Sequence, residues 1–310
     1  MAARELGVEV LLVGRQDVVK EELARRDISG LQLPVVHAEE VVGMADHPAT
    51  AVRQKPHSSI SVGIELLRKG EAEAFVSAGN SGAVMAAALF GLGRIEGVER
   101  PAIGAVFPTT DRPCFVLDVG ANAECRPEYL AQFAVMGSAY AARTLGIDSP
   151  RVGLLSNGEE ETKGSALVQS SFPLLKALAL NFIGNVEGKE IPRGTVDVVV
   201  TDGFSGNVVL KVTEGVAAAL LDILKKELSA NLAFKLAALA LMPAFRRVRR
   251  RLDYAQYGGA PLLGVNGVVI IAHGRSNALA IKNAIRVARQ GIDQHLVDAI
   301  RGGLAAGARP

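Results

Sequence analysis

"VVVTDGFSGNVVLKVTEG" (residues 198–215) joins a short apolar run to a helical pattern through a polar, glycine-rich turn. A continuous valine run, unlike an alternating one, is typical of a strand buried on both faces of a parallel sheet. The turn places Asp202, Ser205 and Asn207 directly after that strand. Ligands of open parallel sheets bind beyond the carboxyl ends of the strands. The stretch therefore predicts a functional site as well as a fold.

Similar units recur along the chain. Apolar runs that close on polar or glycine residues, each followed by a helical pattern, are "VEVLLVG", "AFVSAGNSG", "AIGAVFPTT", "CFVLDVGAN", "VGLLSNGEE", "NFIGNVEG" and "GVVIIAHGRSN". Strands that alternate with helices indicate βαβ units and right-handed crossovers. We predict a three-layer α/β/α sandwich with a mostly parallel sheet. No Pro/Ser-rich linker or repeat divides the chain, so residues 1–310 are expected to form one domain.

The first residues, "MAARELGVEVLLVG", open in a short helical pattern that Gly7 ends. An α/β chain usually begins with a strand, so we expect a βα unit to precede this helix.

Composition narrows the classes of function. The chain is 49% hydrophobic and 21% charged with a net charge of +2, so bulk electrostatics do not indicate a nucleic-acid partner. Cys114 and Cys125 have no metal-ligand spacing around them and are interpreted as unpaired thiols of a reducing cytosol. No signal peptide is evident, and no apolar run reaches the ~18–20 residues of a membrane span.

Residues 221–258 depart from the strand–helix rhythm and predict a protruding helical hairpin in which Pro243 breaks or kinks the second arm. Five arginines follow the apolar segment at once: Arg246, Arg247, Arg249, Arg250 and Arg251. An apolar helix with adjacent cations favours contact with an anionic membrane. Because the hairpin has two faces, we expect it to pack in a dimer as well; the alternative is dimer packing alone, with the arginines in water.

Several strand-to-helix turns carry candidate ligand-binding residues. In "SAGNSG", Gly79 and Gly82 allow close backbone approach, and Asn80 and Ser81 can cap the helix that begins near Ala83. Free N–H groups at a helix N-terminus bind anions. The turn is therefore interpreted either as a simple cap or as an anion site.

The remaining turns have the same two interpretations. Asp118 and Asn122 follow the strand of "CFVLDVGAN", and Asn157 and Lys163 lie in "LLSNGEEETKGS", where the lysine can bind phosphate or polarise a carbonyl. Glu187 and His273 end two further apolar runs. Because all these turns follow strands, we expect them to meet at one edge of the sheet.

No Walker A, G-x-G-x-x-G, G-x-S-x-G or H-E-x-x-H motif occurs in the chain. We therefore expect neither a cofactor nor a metal. Amides, hydroxyls, a lysine and a histidine suit the polarisation of a carbonyl and the binding of an anion.

Six long motifs together resemble the bacterial acyl-acyl-carrier-protein:phosphate acyltransferases of phospholipid synthesis. They are "FVSAGNSGAVMAAALFGLGRI", "VLDVGANAECRPEYLAQFAVMGSAYA", "LLSNGEEETKGS", "FIGNVEGKEI", "VVVTDGFSGNVVLKVTEG" and "YGGAPLLGVNGVVIIAHGRSNALAIKNAI". The resemblance runs in order from about residue 2 to about residue 290. It implies a fold like that of isopropylmalate dehydrogenases and phosphotransacetylases.

The resemblance also implies an activity. A fatty acyl group would pass from acyl carrier protein to inorganic phosphate, giving acyl phosphate for glycerol-3-phosphate acylation. The family's catalytic lysine and asparagine match Lys163 and Asn207, and we expect phosphate near Gly79–Gly82. The implied protein is a homodimer of the cytoplasm, held peripherally at the membrane near the downstream glycerol-3-phosphate acyltransferase.

Family members normally begin with a strand that ends in Met-Gly-Gly-Asp, which this sequence does not contain. The alternatives considered are a phosphotransacylase that uses acyl-CoA, a metal- and NAD-dependent hydroxyacid dehydrogenase, and an inactive membrane-associated scaffold of lipid synthesis.

Overall fold

The computed structural model describes residues 1–252 and 256–307. The strands are β1 (Leu12–Gly14), β2 (Val35–His37), β3 (Ala74–Ser77), β4 (Ala102–Phe107), β5 (Cys114–Leu117), β6 (Val152–Ser156), β7 (Phe182–Glu187), β8 (Val198–Val200), β9 (Ala260–Leu263) and β10 (Val268–Ile271). The helices are α1 (Ala2–Leu6), α2 (Gln16–Ala24), α3 (Pro48–Gln54), α4 (Ser59–Arg68), α5 (Ser81–Gly91), α6 (Pro127–Arg143), α7 (Ala166–Lys176), α8 (Gly203–Leu228), α9 (Leu232–Leu252), α10 (Ala278–Asp293) and α11 (Leu296–Gly307).

Eight strands form one sheet in the order β3-β10-β9-β4-β5-β8-β6-β7, and β1 and β2 form a separate parallel pair. The pairs β3–β10, β5–β8, β8–β6 and β6–β7 are parallel, whereas β10–β9, β9–β4 and β4–β5 are antiparallel. The predicted α/β/α fold with a mostly parallel sheet is confirmed. Strand β9 was not predicted, because Pro261 lies within it and Gly258, Gly259 and Gly264 flank it.

Helices cover both faces of the sheet. The β5–β8–β6 strands pack on α6 and α7 through Phe115, Val198 and Leu154, and on α8 through alternate residues such as Val199. At the other end of the sheet, α4 and α5 contact one face of β10 and α10 contacts the other. Val198, Val199 and Val200 are all fully buried, which explains why β8 is continuously apolar.

The pairing pattern gives the sheet two groups of strands that run in opposite directions. Three successive antiparallel pairings separate β10 from β5, so β3 and β10 run opposite to β5, β8, β6 and β7. The expectation that every turn lies at one edge is therefore wrong. The turns after β3 and β10 lie at one edge, and those after β5, β8, β6 and β7 lie at the other.

The predicted hairpin consists of the distal part of α8 and all of α9, with Ser229–Asn231 between them. Its first arm starts at Gly203, well before residue 221, because α8 extends without interruption from the turn after β8. Helix α9 continues through Pro243, so of the two expected effects, a break or a kink, the break does not occur. Within the described ranges, no helix combines the length and apolar content that a bilayer span requires.

Candidate active site

The turn after β8 is built around contact between two backbone segments. A Cβ on Gly206 would lie 1.8 Å from the carbonyl oxygen of Asp118, and a Cβ on Gly203 would lie 2.7 Å from that of Asn122. Gly203 also donates its N–H to the Asn122 carbonyl at 2.7 Å. The two glycines of "DGFSGN" therefore let the first turn of α8 rest on the 118–122 backbone.

Asp118 organises this second segment from the inside. Its carboxylate is fully buried and accepts backbone hydrogen bonds from Ile103, Gly120, Ala121 and Asn122 at 2.7–3.2 Å, and one from the Asn122 carboxamide at 2.9 Å. Burial raises the pKa of the Asp118 carboxyl, and these hydrogen bonds oppose the rise. Five donors occupy the acceptor capacity of the carboxylate, so Asp118 shapes the loop and has no free acceptor for a substrate.

Asn122 and Asp202 are occupied in a similar way. Asn122 donates from its carboxamide to the Pro101 carbonyl at 2.8 Å as well as to Asp118. Asp202 is the N-cap of α8: Oδ1 accepts from the Ser205 N–H, and Oδ2 accepts from the Ser205 hydroxyl, both at 2.8 Å. These side chains hold the start of α8 and the 118–122 loop in place, and their expected contact with substrate stays a prediction.

Asn207 differs from its neighbours. It is exposed one turn into α8, and its carboxamide makes no hydrogen bond to the residues that the structure describes. Gly120, with a φ of 144°, leaves the adjacent space open: a Cβ there would lie 3.7 Å from the Asn207 Oδ1. The local fold thus presents a free amide at the carboxyl end of β5 and β8.

Lys163 lies on the loop that follows β6, the strand next to β8. Asn157 closes this loop by accepting the Gly164 N–H on Oδ1 at 2.9 Å. A Cβ on Gly158 would lie 2.8 Å from the Lys163 Cγ, so the glycine makes room for the lysine stem. The Lys163 ammonium is exposed and has neither an ion pair nor a hydrogen bond within the described part of the chain. Because β6 and β8 are parallel neighbours, Lys163 and Asn207 follow the same edge of the sheet.

Glu187 ends β7 at this edge but is held by local contacts. Its side chain caps the short 3-10 helix Gly188–Glu190 and pairs with the Lys189 ammonium, while its own N–H donates to Glu190 at 2.9 Å. Glu187 therefore shapes the turn after β7.

The Gly79–Gly82 turn lies at the opposite edge and has a structural role. Asn80 is buried, caps α5 through the Ala83 N–H at 3.0 Å, and donates to the carbonyls of Gly43, Met44 and Asp46. The predicted cap is thus confirmed, with Ser81 as the first helical residue. The placement of phosphate at this turn stays a prediction from the helix N-terminus, but a shared edge with Lys163 and Asn207 no longer supports it.

His273 also lies at the opposite edge, after β10. Partial burial and the nearby Arg275 and Lys211 lower the pKa of His273, and Glu214 opposes this effect. Glu214 is 3.1 Å from Lys211 and 3.9 Å from Arg275, so the middle of α8 contacts the turn after β10. From Asn207 to Glu214 the helix rises ~10 Å, and α8 therefore connects the two edges.

The two cysteines are not reactive thiolates in this fold. Burial raises the pKa of Cys114, and burial together with Asp118 raises the pKa of Cys125 to about 11. Within residues 1–252 and 256–307, no three His, Cys, Asp or Glu side chains group as a metal site.

Arg246 and Arg247 are exposed on α9. The side chains of Arg249, Arg250 and Arg251 lie outside the part of the chain that the structure describes.

Sequence reasoning missed Gln169. Gln169 donates from Nε2 to the carbonyls of Thr162 and Gly164, at 2.9 and 3.1 Å, on either side of Lys163. Its place on an exposed helical face gave no signal.

The fold is that of phosphotransacetylases, as the resemblance implied. Phosphotransacetylases from Streptococcus pyogenes and Staphylococcus aureus align with TM-scores of 0.62 and 0.60, at 16% and 18% identity. Each alignment covers 94% of this chain and 89% of the other.

Sequence comparison is more specific than the fold. The model of a family described as "fatty acid synthesis protein" matches residues 1–298. A phosphate acyltransferase from Pelotomaculum thermopropionicum is 52% identical over 97% of this chain and 88% of its own length, and one from Geobacter sulfurreducens is 49% identical over 96% and 87%. The chain belongs to this family of phosphate acyltransferases.

Proposed function

We propose that this enzyme transfers a fatty acyl group from acyl carrier protein to inorganic phosphate, forming acyl phosphate for phospholipid synthesis. The proposal is supported by relatives of about half-identical sequence, named phosphate acyltransferase, that align over nearly the whole chain. These relatives do not favour an acyl-CoA-dependent phosphotransacylase, a dehydrogenase or an inactive scaffold.

The site assignment depends on one observation: at this edge of the sheet, some polar side chains already have hydrogen-bond or ion-pair partners and others do not. Asp118, Asp202 and Glu187 are committed to hydrogen bonds or ion pairs, whereas the Lys163 ammonium and Asn207 amide are unpaired among the described residues. Two free donors at the ends of adjacent strands suit charge that develops during a reaction.

The chemistry requires no protein nucleophile. A phosphate oxygen attacks the thioester carbonyl carbon, and the carbonyl oxygen gains negative charge. The C–S bond then breaks, and the carrier thiolate leaves and takes up a proton. Lys163 and Asn207 donate to the oxyanion or to phosphate, and the loss of one such donor typically lowers the rate ~10²–10³-fold.

The test is incubation of the purified chain with palmitoyl-acyl carrier protein and phosphate, followed by measurement of free carrier thiol. We expect release that depends on phosphate and falls ~10²–10³-fold in Lys163→Ala and in Asn207→Ala, with circular dichroism unchanged. Release only from acyl-CoA would contradict the substrate, and an active double variant would contradict the site.

The same proposal includes a homodimer. Phe204, Val208, Val212, Val216, Leu220 and Ile223 form an exposed apolar stripe along α8. Because steps of four residues drift around a helix of 3.6 residues per turn, the stripe winds slowly along α8, and its distal members Val212, Val216, Leu220 and Ile223 share one face. A contiguous apolar face of this length is typical of an interaction site, and a second copy of α8 suits it in a two-fold arrangement.

We place the dimer in the cytoplasm at an anionic membrane surface, where acyl phosphate passes to the glycerol-3-phosphate acyltransferase. Support comes from α9, which exposes Leu232, Phe234 and Leu239 and carries the arginine run toward its end. Apolar area together with adjacent cations is what an interfacial helix needs.

A further inference from the structure

The loop that carries Lys163 is attached to the rest of the protein by a buried amide. Asn185 lies on β7 with 5% of its surface exposed, and its Nδ2 donates to the Glu160 carbonyl at 2.8 Å. The same carbonyl accepts the Lys163 backbone N–H at 3.0 Å. Asn185 and the Lys163 backbone therefore meet at one oxygen atom.

The other amide that holds this loop has a different setting. Gln169 contacts the Thr162 and Gly164 carbonyls from α7, where its side chain is exposed to water. Water can replace those bonds at little cost. The bond from Asn185 has no such replacement, because its donor lies beneath the loop.

The side chain of Asn185 also destabilises the fold through its carboxamide oxygen. Its Oδ1 is buried and makes no hydrogen bond to any described residue, and the same holds for the nearby hydroxyl of Ser156 at the end of β6. An unsatisfied buried acceptor is destabilising, and an apolar residue of similar shape avoids that penalty. Packing alone does not account for an amide at this position, because an apolar side chain would pack without an unsatisfied oxygen.

The strand register explains how Asn185 reaches the loop. Asn185 pairs with Leu154, two residues before the end of β6, and therefore points to the same face as Ser156. The loop folds back over that face: a Cβ on Gly164 would lie 3.0 Å from the Ser156 Oγ. The amide is thus fixed on a rigid strand under a loop that begins on the neighbouring strand.

We propose that Asn185 is a positioning residue that sets the direction of the Lys163 ammonium through the Glu160 carbonyl. This inference rests on the proposed function, since it assigns Asn185 to the loop of the catalytic lysine. In this role Asn185 acts only through the loop, because its amide donates to the Glu160 carbonyl beneath it. A misplacement of a reacting group by about 1 Å can lower a rate ~10²-fold, so loss of this bond acts on kcat.

The test uses Asn185→Leu, which removes the amide donor and the unpaired acceptor together. We expect kcat for phosphate-dependent thiol release to fall ~10–10²-fold, with the KM for acyl carrier protein within about twofold of wild type. The Tm is expected to be equal or higher, because the unsatisfied oxygen is gone. Asn185→Asp, which keeps the shape but replaces the donor by an acceptor, should lower kcat at least as much.

Asn181→Ala is the matched control. Asn181 donates to the Ser149 carbonyl at 3.0 Å before the start of β7, at the end of the strand away from the loop. It should leave kcat unchanged. A merely structural role for Asn185 would make the two variants alike.

The decisive measurement is a double-mutant cycle with Lys163→Met. If Asn185 acts through Lys163, Asn185→Leu should have no further effect on the residual rate of Lys163→Met. An equal fold-loss in both backgrounds, or a kcat for Asn185→Leu within twofold of wild type, would overturn the inference. Failure of the proposed function is distinguishable, because the wild type would then show no phosphate-dependent thiol release, whereas a Lys163→Met variant with the wild-type rate would contradict only the site assignment.

Discussion

Gly206 and Asp118 lie so close that the fold admits no side chain between them: a Cβ on Gly206 would be 1.8 Å from the Asp118 carbonyl oxygen. Asn207 is the next residue in the chain, so this contact determines where the free amide lies. The position of a proposed catalytic group thus depends on its glycine neighbour.

Gly206→Ala should therefore damage activity and stability together. The added methyl group must push α8 away from the 118–122 loop, and we expect a loss of about 1–3 kcal/mol in the free energy of unfolding and a ~10²-fold fall in kcat. Gly215→Ala is the control on the same helix, since nothing lies within 4 Å of its Cβ position. It should raise stability by about 0.5–1 kcal/mol at unchanged kcat. Urea unfolding and thiol release measure both effects, and equal kcat for the two variants would contradict the argument.

The polar turns were predictable as turns but not as parts of one site. Runs such as "VDVVV" and "VGLLS" indicate buried strands because they are continuously apolar. In the structure, helices cover both faces of these strands, which is why both faces are apolar. The composition of such a run does not show whether the strand is parallel or antiparallel to its neighbours. The antiparallel strands β9 and β4 reverse the sheet, and this reversal separated Gly79–Gly82 and His273 from Lys163 and Asn207.

Residue type alone also could not show which polar side chains are free. Asp118, Asp202 and Asn207 all follow buried strands, yet only Asn207 lacks a partner among the described residues. The difference arises from backbone N–H groups supplied by other segments, such as Ile103 to Asp118. The resemblance to a family identified Asn207, whereas only the three-dimensional structure shows that its amide has no hydrogen-bond partner among the described residues.

Acid should destabilise the protein through Asp197. Burial raises the pKa of this carboxyl, but hydrogen bonds from Arg151 outweigh that effect and lower it overall. Arg151 donates from Nε and Nη2 to both carboxylate oxygens at 2.9 Å, and the Asp197 side chain is 3% exposed. A carboxyl whose folded pKa is depressed stabilises the fold above its unfolded value of about 3.9, and the stabilisation is lost as pH falls through the folded pKa.

Arg151→Met tests this pair. Removal of one partner leaves a buried charge, and we expect a loss of about 3 kcal/mol at pH 7, the lower end of the usual range because Arg151 is partly exposed. As the pH falls through the depressed folded pKa of Asp197, the difference from wild type should shrink, because the protonated carboxyl no longer requires a cation. The control is Arg301→Met, whose pair with Asp298 is exposed and should contribute about 0–1 kcal/mol. A gap between wild type and Arg151→Met that does not change with pH would exclude Asp197 as the titrating group.

The α8 stripe predicts the effect of a charge on assembly. Val212→Glu and Leu220→Glu each place a carboxylate on the apolar face, and a two-fold axis brings each substitution into the interface twice. We expect both variants to sediment as monomers at concentrations where the wild type is a dimer. Lys225→Glu, exposed on a different face of α8, should remain dimeric. Two unchanged dimers would mean that this stripe is not the interface.

The arginine run of α9 predicts a charge-dependent affinity for membranes. Each cation near an anionic surface contributes about 1 kcal/mol at moderate salt. Replacement of Arg246, Arg247, Arg249, Arg250 and Arg251 by Gln should therefore weaken co-sedimentation with anionic vesicles at least about tenfold, while thiol release in solution is unchanged. Arg25→Gln with Arg26→Gln is the control, since those exposed arginines directly follow α2, far along the chain from α9. Binding to neutral vesicles should be weak for every variant and should not respond to salt. Equal binding of the five-arginine variant and the wild type to anionic vesicles would leave the apolar residues of α9 as the membrane contact and reject the electrostatic part.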